Sequence, residues 1–357
     1  MATNDDKSPE PTTEDFSPTL GAEASAPGAA VFDPQSNANI EADEAAFSDY
    51  GSSSEQSETT SVTSSVRAYI HQNGRTYHRY GGQGKYVLPN DEVEQDRLDL
   101  QHHLFLIILD VKLHTATLPE NLHHVLDCGT GTGIWALEFG AQHPEAIITG
   151  VDLSPIQPNW VEPNVRFEVD DLEKEWSWPA NHFQFIHSRA IMNGMRDFQH
   201  FIRQMYKHTS PGGVVEVSEM LQDLTSQDGT LVGSNIEKHM SIYHDCARKA
   251  GFKFPVYGEI EKALEEAGFE QIETKTYVMP WGPWPRNKRL RHIGHVMAAV
   301  CETGFEAYGL QLLTAYGGYT PEDAKALFAN SMREMMSLKV HAFNLLVQIS
   351  ARKPVEA

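Results

Sequence analysis

His124-Val-Leu-Asp-Cys-Gly-Thr-Gly-Thr-Gly133, continued by Ile134-Trp-Ala-Leu-Glu-Phe139, reads as a buried strand that runs into a glycine loop and then a helix. Val125 and Leu126 are apolar and strand-forming, Asp127 stands where the strand ends, and Gly129, Gly131 and Gly133 occupy alternate positions after it. Glycine lacks a Cβ, so the backbone can turn tightly and approach a ligand closely. The start of the following helix offers unpaired N–H groups and the positive end of the helix dipole. A carboxylate immediately before such a loop is poorly placed beside a phosphate. It is well placed to orient the amino-acid end of a sulfonium compound, so the stretch points to S-adenosylmethionine (SAM) ahead of a nucleotide phosphate.

Strands and helices alternate outward from this stretch. The pattern predicts strands at 123–128, 146–152, 165–169, 183–187 and 213–218, with helices at 133–142 and 196–209 and a turn at Pro211-Gly212-Gly213. Such alternation implies a parallel sheet covered by helices on both faces. The final third predicts helices at 229–250 and 258–267, a strand from Phe269 to Met279, and a rigid break at Trp281-Gly-Pro-Trp-Pro285. Residues 287–338 read as almost wholly helical, with a turn near Gly317-Gly318 and a new start at Thr320-Pro321-Glu322. Val340 to Ala351 reads as a last strand that inserts beside the previous one. The block 281–338 is long enough to form a lid. Upstream, Tyr77 to Tyr86 mixes aromatics with glycines and reads as a structured loop, and Asn90 is read as the cap of a helix reaching about Leu113.

Composition bounds the rest. The 357 residues carry a formal charge of −21, which argues against sequence-independent nucleic-acid binding. Residues 1–65 hold thirteen Asp or Glu against one Lys, so most of the excess lies there, in a stretch rich in Ser, Thr, Ala and Pro. Such a stretch cannot bury enough apolar surface to offset its ordering entropy, and it is expected to be a disordered tail, solubilising or partner-binding. Three cysteines, widely spaced, make no disulfide framework or zinc pattern. With no signal-peptide pattern and no apolar run of about 18 residues, the expectation is an intracellular protein without a membrane span, cytoplasmic ahead of nuclear. The basic run Arg286-Asn-Lys-Arg-Leu-Arg291 is either a short import signal or the charged start of a lid helix.

Two cofactors compete for the glycine loop. Gly131-Thr-Gly133-Ile-Trp-Ala136 satisfies a dinucleotide pattern, and Asp152 follows at the end of the next strand where either cofactor needs a carboxylate for its ribose diol. Asp127 before the loop favours SAM. So does Asp170-Asp171-Leu172, where a carboxylate can accept from the adenine amino group and the next backbone N–H can donate to a ring nitrogen. An NAD-dependent oxidoreductase is the remaining alternative.

The joint order of several blocks resembles the fungal LaeA-like class I methyltransferases over residues 66–352. These blocks are Tyr80-Gly-Gly-Gln-Gly-Lys-Tyr86 with Pro89-Asn-Asp-Glu92, the loop stretch 125–135, Gly150-Val-Asp-Leu-Ser-Pro-Ile-Gln-Pro158, Asp170-Asp-Leu-Glu173, Ser188-Arg189, Pro211-Gly-Gly213 with Glu216, and Trp281-Gly-Pro-Trp-Pro285. The resemblance implies a Rossmann-like α/β fold, a seven-stranded mostly parallel sheet with an added helical lid, flanked by the tail 1–65 and a short C-terminal tail 353–357. It implies SAM at the carboxyl ends of the first two sheet strands. The expected cofactor contacts are Asp127, Gly129, Gly131, Gly133, Asp152, Leu153, Asp170, Asp171, Leu172 and Ser188. It also implies either a small-molecule acceptor, favoured here with methylation on oxygen, or a regulatory role through a protein partner bound by the tail or lid.

No Asn-Pro-Pro-Tyr motif of amino-methylating enzymes follows the strand at 183–187; His187-Ser-Arg-Ala-Ile-Met-Asn193 stands there instead. His187 is the best single candidate for a general base, with a structural hydrogen bond as its alternative. Arg189 is expected to pair with a carboxylate, either the cofactor's or Glu216. Tyr77, Tyr80, Tyr86 and Trp281 are substrate-side candidates. His102-His103 and His123-His124 lack ligand spacing for a metal, since neighbours point to different faces.

Overall fold

The computed structural model describes residues 69–78 and 88–355. The tail, Tyr80, Lys85 and Tyr86 lie outside the described residues. A hairpin of β1 (Tyr69–Gln72) and β2 (Arg75–His78) comes first, closed by Asn73-Gly74, both at positive φ. The sequence reading places no strand here: the strands are four residues long and mostly polar, so only the Asn-Gly turn signals them. Helix α1 (Glu92–Ile108) is capped by Asp91, not Asn90; Asp91 accepts from the Glu94 N–H and is gripped by the Arg75 guanidinium at 2.6 and 2.7 Å. Asn90 accepts from the Thr76 hydroxyl instead. The helix also stops short of Leu113, because Asp110 and Val111 take positive φ.

The alternating core follows as β3 (His124–Cys128), α2 (Ile134–Gln142), β4 (Ile147–Asp152), β5 (Val165–Val169), β6 (Phe183–Arg189), α3 (Phe198–His208) and β7 (Thr209–Met220). Then come α4 (Asn235–Lys249), α5 (Glu259–Ala267), β8 (Glu270–Pro280), α6 (Lys288–Tyr316), α7 (Pro321–Met335) and β9 (Phe343–Arg352). The sheet order is β5-β4-β3-β6-β7-β9-β8. Its first five strands are parallel, and β9 runs antiparallel between β7 and β8. The seven-stranded, mostly parallel sheet with an inserted last strand is as expected.

Helix α4 begins only at Asn235, where Ser234 accepts from the Glu237 N–H; residues 229–234 are a loop rather than the first turns of the helix. The lid block is packed core as much as cover. Leu310, Leu313, Ala324 and Met335 are fully buried in a cluster that joins α1, α4, α6 and α7 to β8. Each buried leucine there is worth roughly 1.5–3 kcal/mol of apolar burial. The basic run opens α6 as a capped start: Asn287 accepts from the Arg289 and Leu290 N–H groups, and Arg289 pairs with Asp110 at 2.6 Å and bonds the Ile107 carbonyl. Among the described residues no helix is long and apolar enough to cross a membrane.

Candidate active site

The carboxyl ends of β3, β4 and β6, with the loop after β5, open into a cleft of about 160 Å³ closed on one side by α1 and by Tyr308 of α6. The glycine loop forms its floor. Gly129 has φ +68°, and a Cβ there would lie 2.3 Å from Ile191 Cγ2, so the backbone can pass only as glycine. Gly131 also lines the cleft, but Gly133 does not. Its part is structural: it caps α2 at φ +86°, and a Cβ would strike the Phe167 ring at 2.4 Å.

Asp127 is buried and held at both oxygens. The Thr130 hydroxyl donates to Oδ2 at 2.6 Å, and His187 Nδ1 lies 2.7 Å from Oδ1. The His187 ring stacks flat on Trp135, with centroids 3.7 Å apart and planes 4° from parallel. Burial lowers the His187 pKa against the opposing pull of Asp127. A neutral imidazole with its hydrogen on Nδ1 donates to Asp127 and leaves Nε2 buried without a partner.

Asp152 at the tip of β4 accepts from the Gly131 and Ser154 N–H groups, each at 2.9 Å. Burial pushes this carboxyl up to about 6, against those two N–H groups. Leu153, Asp170, Asp171 and Leu172 line the same cleft. Asp171 is 3% exposed, accepts from the Glu173 N–H and lies 3.8 Å from the Lys174 ammonium, whereas Asp170 is partly exposed and accepts from the Asp171 N–H. The expectation for Ser188 is corrected: it is fully buried and lines no part of the cleft, while its strand neighbours His187 and Arg189 do. Side chains alternate along a strand, so Ser188 faces the opposite side.

Arg189 does not pair with Glu216. Its Nη2 donates to His102 Nδ1 at 2.8 Å, and its guanidinium lies over the Phe105 ring at 4.8 Å. His102 Nε2 in turn lies 3.1 Å from Glu138. Burial takes His102 down to about 3, so its ring is neutral, with Nε2–H toward Glu138 and Nδ1 free to accept. Burial also lowers Arg189 to about 10, which leaves it cationic at neutral pH. Glu216 is used elsewhere, accepting from the Thr115 and Ala116 N–H groups at 2.7 and 2.6 Å. The relay from Glu138 through His102 to Arg189 spans 87 residues between its last two members and has no sequence signal beyond the helical face that His102 shares with Leu98.

A second pocket of about 80 Å³ adjoins the cleft, and the two share Arg97, Gln101 and Tyr308 as a wall. Arg97 is fully buried in that wall. Its guanidinium meets Glu94 at 2.6 and 2.9 Å, Gln101 at 2.6 Å and the Tyr308 ring at 4.9 Å. Trp281 lines this second pocket rather than the cleft, with its indole N–H on Asn344. Tyr77 lines neither; it is buried core, and burial raises its hydroxyl to about 12. Among the described residues no three His, Cys, Asp or Glu gather as a metal site.

The family described as "Methyltransferase domain" matches residues 100–274. Methyltransferase pytC of Aspergillus terreus is 41% identical over 301 residues, covering 84% of this chain and 92% of the relative. The secondary metabolism regulator laeA of Aspergillus fumigatus is 32% identical over 289 residues, covering 80% and 76%. The chain belongs to the LaeA-like class I methyltransferases. It is a SAM-dependent enzyme, and the dehydrogenase alternative falls away. Another relative of this methyltransferase, from Emericella nidulans, is named protein-methionine methyltransferase laeA and is 31% identical over 299 residues, covering 82% of this chain and 78% of the relative. Phosphoethanolamine N-methyltransferase 2 of Haemonchus contortus, solved with S-adenosyl-L-methionine, aligns at a TM-score of 0.43 and 17% identity, over 76% of this chain and 55% of that one.

Proposed function

We propose that this methyltransferase acts on an oxygen of a small natural product in fungal secondary metabolism. The observation that carries the reading is the apolar pocket behind the Arg97–Tyr308 wall, next to the cofactor cleft and lined by no carboxylate. An ammonium acceptor calls for such a carboxylate, and a neutral hydroxyl does not.

SAM, when bound, supplies a methyl group on a sulfonium with a good neutral leaving group. The chain's own part is binding, orientation and exclusion of water. Asp152 is assigned the ribose hydroxyls, Asp171 with the following Leu172 N–H the adenine edge, and Asp127 the amino group of the aminoacyl end. Arg189 has no carboxylate within ion-pair distance among the described residues, so it is assigned the carboxylate of that end. His187 is assigned to positioning rather than proton transfer. Its Nδ1 is committed to Asp127, and burial lowers its pKa, which makes it a weak base.

We place the enzyme in the cytoplasm, since Arg289 within the basic run is tied down by Asp110 and the α1 carbonyls. A protein acceptor is the second reading, favoured by the relatives named as regulator and as protein-methionine methyltransferase. Labelled methyl transfer in a fungal extract separates them: label in the organic phase supports a small acceptor, and label confined to protein refutes it. Protein capture with and without residues 1–65 tests the docking role of the tail.

A further inference from the structure

We propose that the second pocket binds the acceptor, a neutral and largely apolar molecule, and that the ring of His239 holds its hydroxyl by a hydrogen bond. The proposal rests on the small-acceptor reading above and deepens it. The pocket lies between α4 and α6, and its walls include Met240, Met297, Val300 and Phe305. Methionines yield to irregular shapes, so about 80 Å³ of space takes the ring-sized end of a molecule. Arg97, Gln101 and Tyr308 line both this pocket and the cofactor cleft, so the two cavities adjoin.

His239 is 2% exposed, lines the pocket, and has a buried Nδ1 with no hydrogen-bond partner. A buried polar atom left unmet is destabilising and calls for an explanation. The ring is packed against two aromatic side chains. It stands edge-on to Phe305 at 4.7 Å and packs against Phe328 at 5.0 Å. Burial, with a smaller push from His244, takes its pKa down to about 4, so the ring is neutral at physiological pH. A neutral imidazole has one donating and one accepting nitrogen, and a hydroxyl can meet either.

Two other polar side chains of the lining, Asn344 and Arg97, are already engaged. Asn344 bonds the Leu221 carbonyl at 2.7 Å and the Trp281 indole at 3.1 Å. Arg97 is the one cation among the lining residues, and Glu94 takes it in two bonds. A phosphorylated acceptor therefore finds no available cation here, and an ammonium finds no carboxylate.

The test titrates the full-length protein with phenol and with toluene, which match in shape and differ in the hydroxyl, with and without S-adenosylhomocysteine. In the wild type both bind. His239→Phe keeps the ring packing and is expected to shift the phenol-to-toluene affinity ratio about tenfold toward toluene. Met297→Trp, which fills the pocket, is expected to weaken both probes at least tenfold. S-adenosylhomocysteine affinity is expected to stay within about twofold in both variants, which shows that the cofactor half is folded. An unchanged ratio in His239→Phe overturns the proposal. So does benzylammonium binding ahead of phenol, or wild-type protein that takes S-adenosylhomocysteine but neither probe. Failure of S-adenosylhomocysteine itself to bind strikes only the assigned cofactor contacts, because the probe titrations are read without it as well.

Discussion

Replacing Arg189 with Met tests the assignment of the cleft's free cation. The guanidinium is buried, spends one nitrogen on His102 and stacks on Phe105, and its remaining donors meet no carboxylate among the described residues. A hydrogen bond to a charged group is worth about 1.5–3 kcal/mol net. Methionine keeps the apolar stem over Phe105 and removes the charge. The expected loss is about 2 kcal/mol, roughly thirtyfold in affinity for S-adenosylhomocysteine. The loss should vanish for 5′-methylthioadenosine, which keeps the nucleoside and sulfur but lacks the aminoacyl carboxylate. Calorimetric titration of both ligands against both proteins closes the cycle. Equal weakening of both ligands, or no weakening of either, refutes the clamp and returns Arg189 to a structural role. Because burial lowers Arg189 to about 10, the advantage of the carboxylate ligand should hold across neutral pH and fade as pH rises through 10.

At Asp152, burial raises the carboxyl to about 6, and the ionised form is the better partner for ribose hydroxyls. Adenosine and S-adenosylhomocysteine affinity should therefore fall as pH drops through 6, while Asp152→Asn binds weakly at every pH; an undiminished wild-type affinity at pH 5 contradicts this. Glu219 accepts from the Ile191 and Met192 N–H groups through one oxygen, its other oxygen is unpartnered, and burial raises it from 4.5 to about 7. A raised folded pKa contributes stability that is complete below about 4.5 and is lost as pH climbs through about 7, so ionisation costs the fold about 3 kcal/mol. Glu219→Gln should then raise the melting temperature by several degrees at pH 8.5 and leave it unchanged at pH 5; equal shifts at both pH values sink the linkage. His187→Phe keeps the stack on Trp135 and frees Asp127. Cofactor affinity should drop about tenfold while the pH profile of turnover keeps its shape; a lost acid limb would restore His187 as the base.

The cofactor half of the molecule was legible because its demands fall on the backbone. Gly129 is forced by Ile191 and a positive φ, and Asp152 by the tip of a strand whose register fixes its place, so both leave a mark at one position in the chain. Strand period also decides Ser188: with His187 and Arg189 facing the cleft, the residue between them faces away. Glu94 and Arg97 are three apart on a helix, a spacing that signals a pair. What no local pattern reveals is that this pair is buried, or that Arg189 finds a neutral histidine where a carboxylate was expected. The hairpin at residues 69–78 was missed for a different reason: two four-residue strands give too few alternations to count.

The acceptor half is illegible for a physical reason that also bears on how the family diversifies. Its pocket draws on α1, α4, α6 and the ends of β7 and β9, elements far apart in the chain. Packed apolar side chains exchange for others of similar volume at little cost, so Met240, Met297 and Phe305 carry no fixed motif. The wall between the halves is different. A buried ion pair contributes little stability over an apolar one, but removing either member leaves a charge stranded, so it is held in place as a unit. Glu94–Arg97 with Gln101 and Tyr308 is such a unit, and Arg97, Gln101 and Tyr308 line the cleft on one side and the second pocket on the other. Under the proposed reading of the second pocket, a shared lining of this kind leaves that pocket free to repack for a different acceptor without disturbing the cleft.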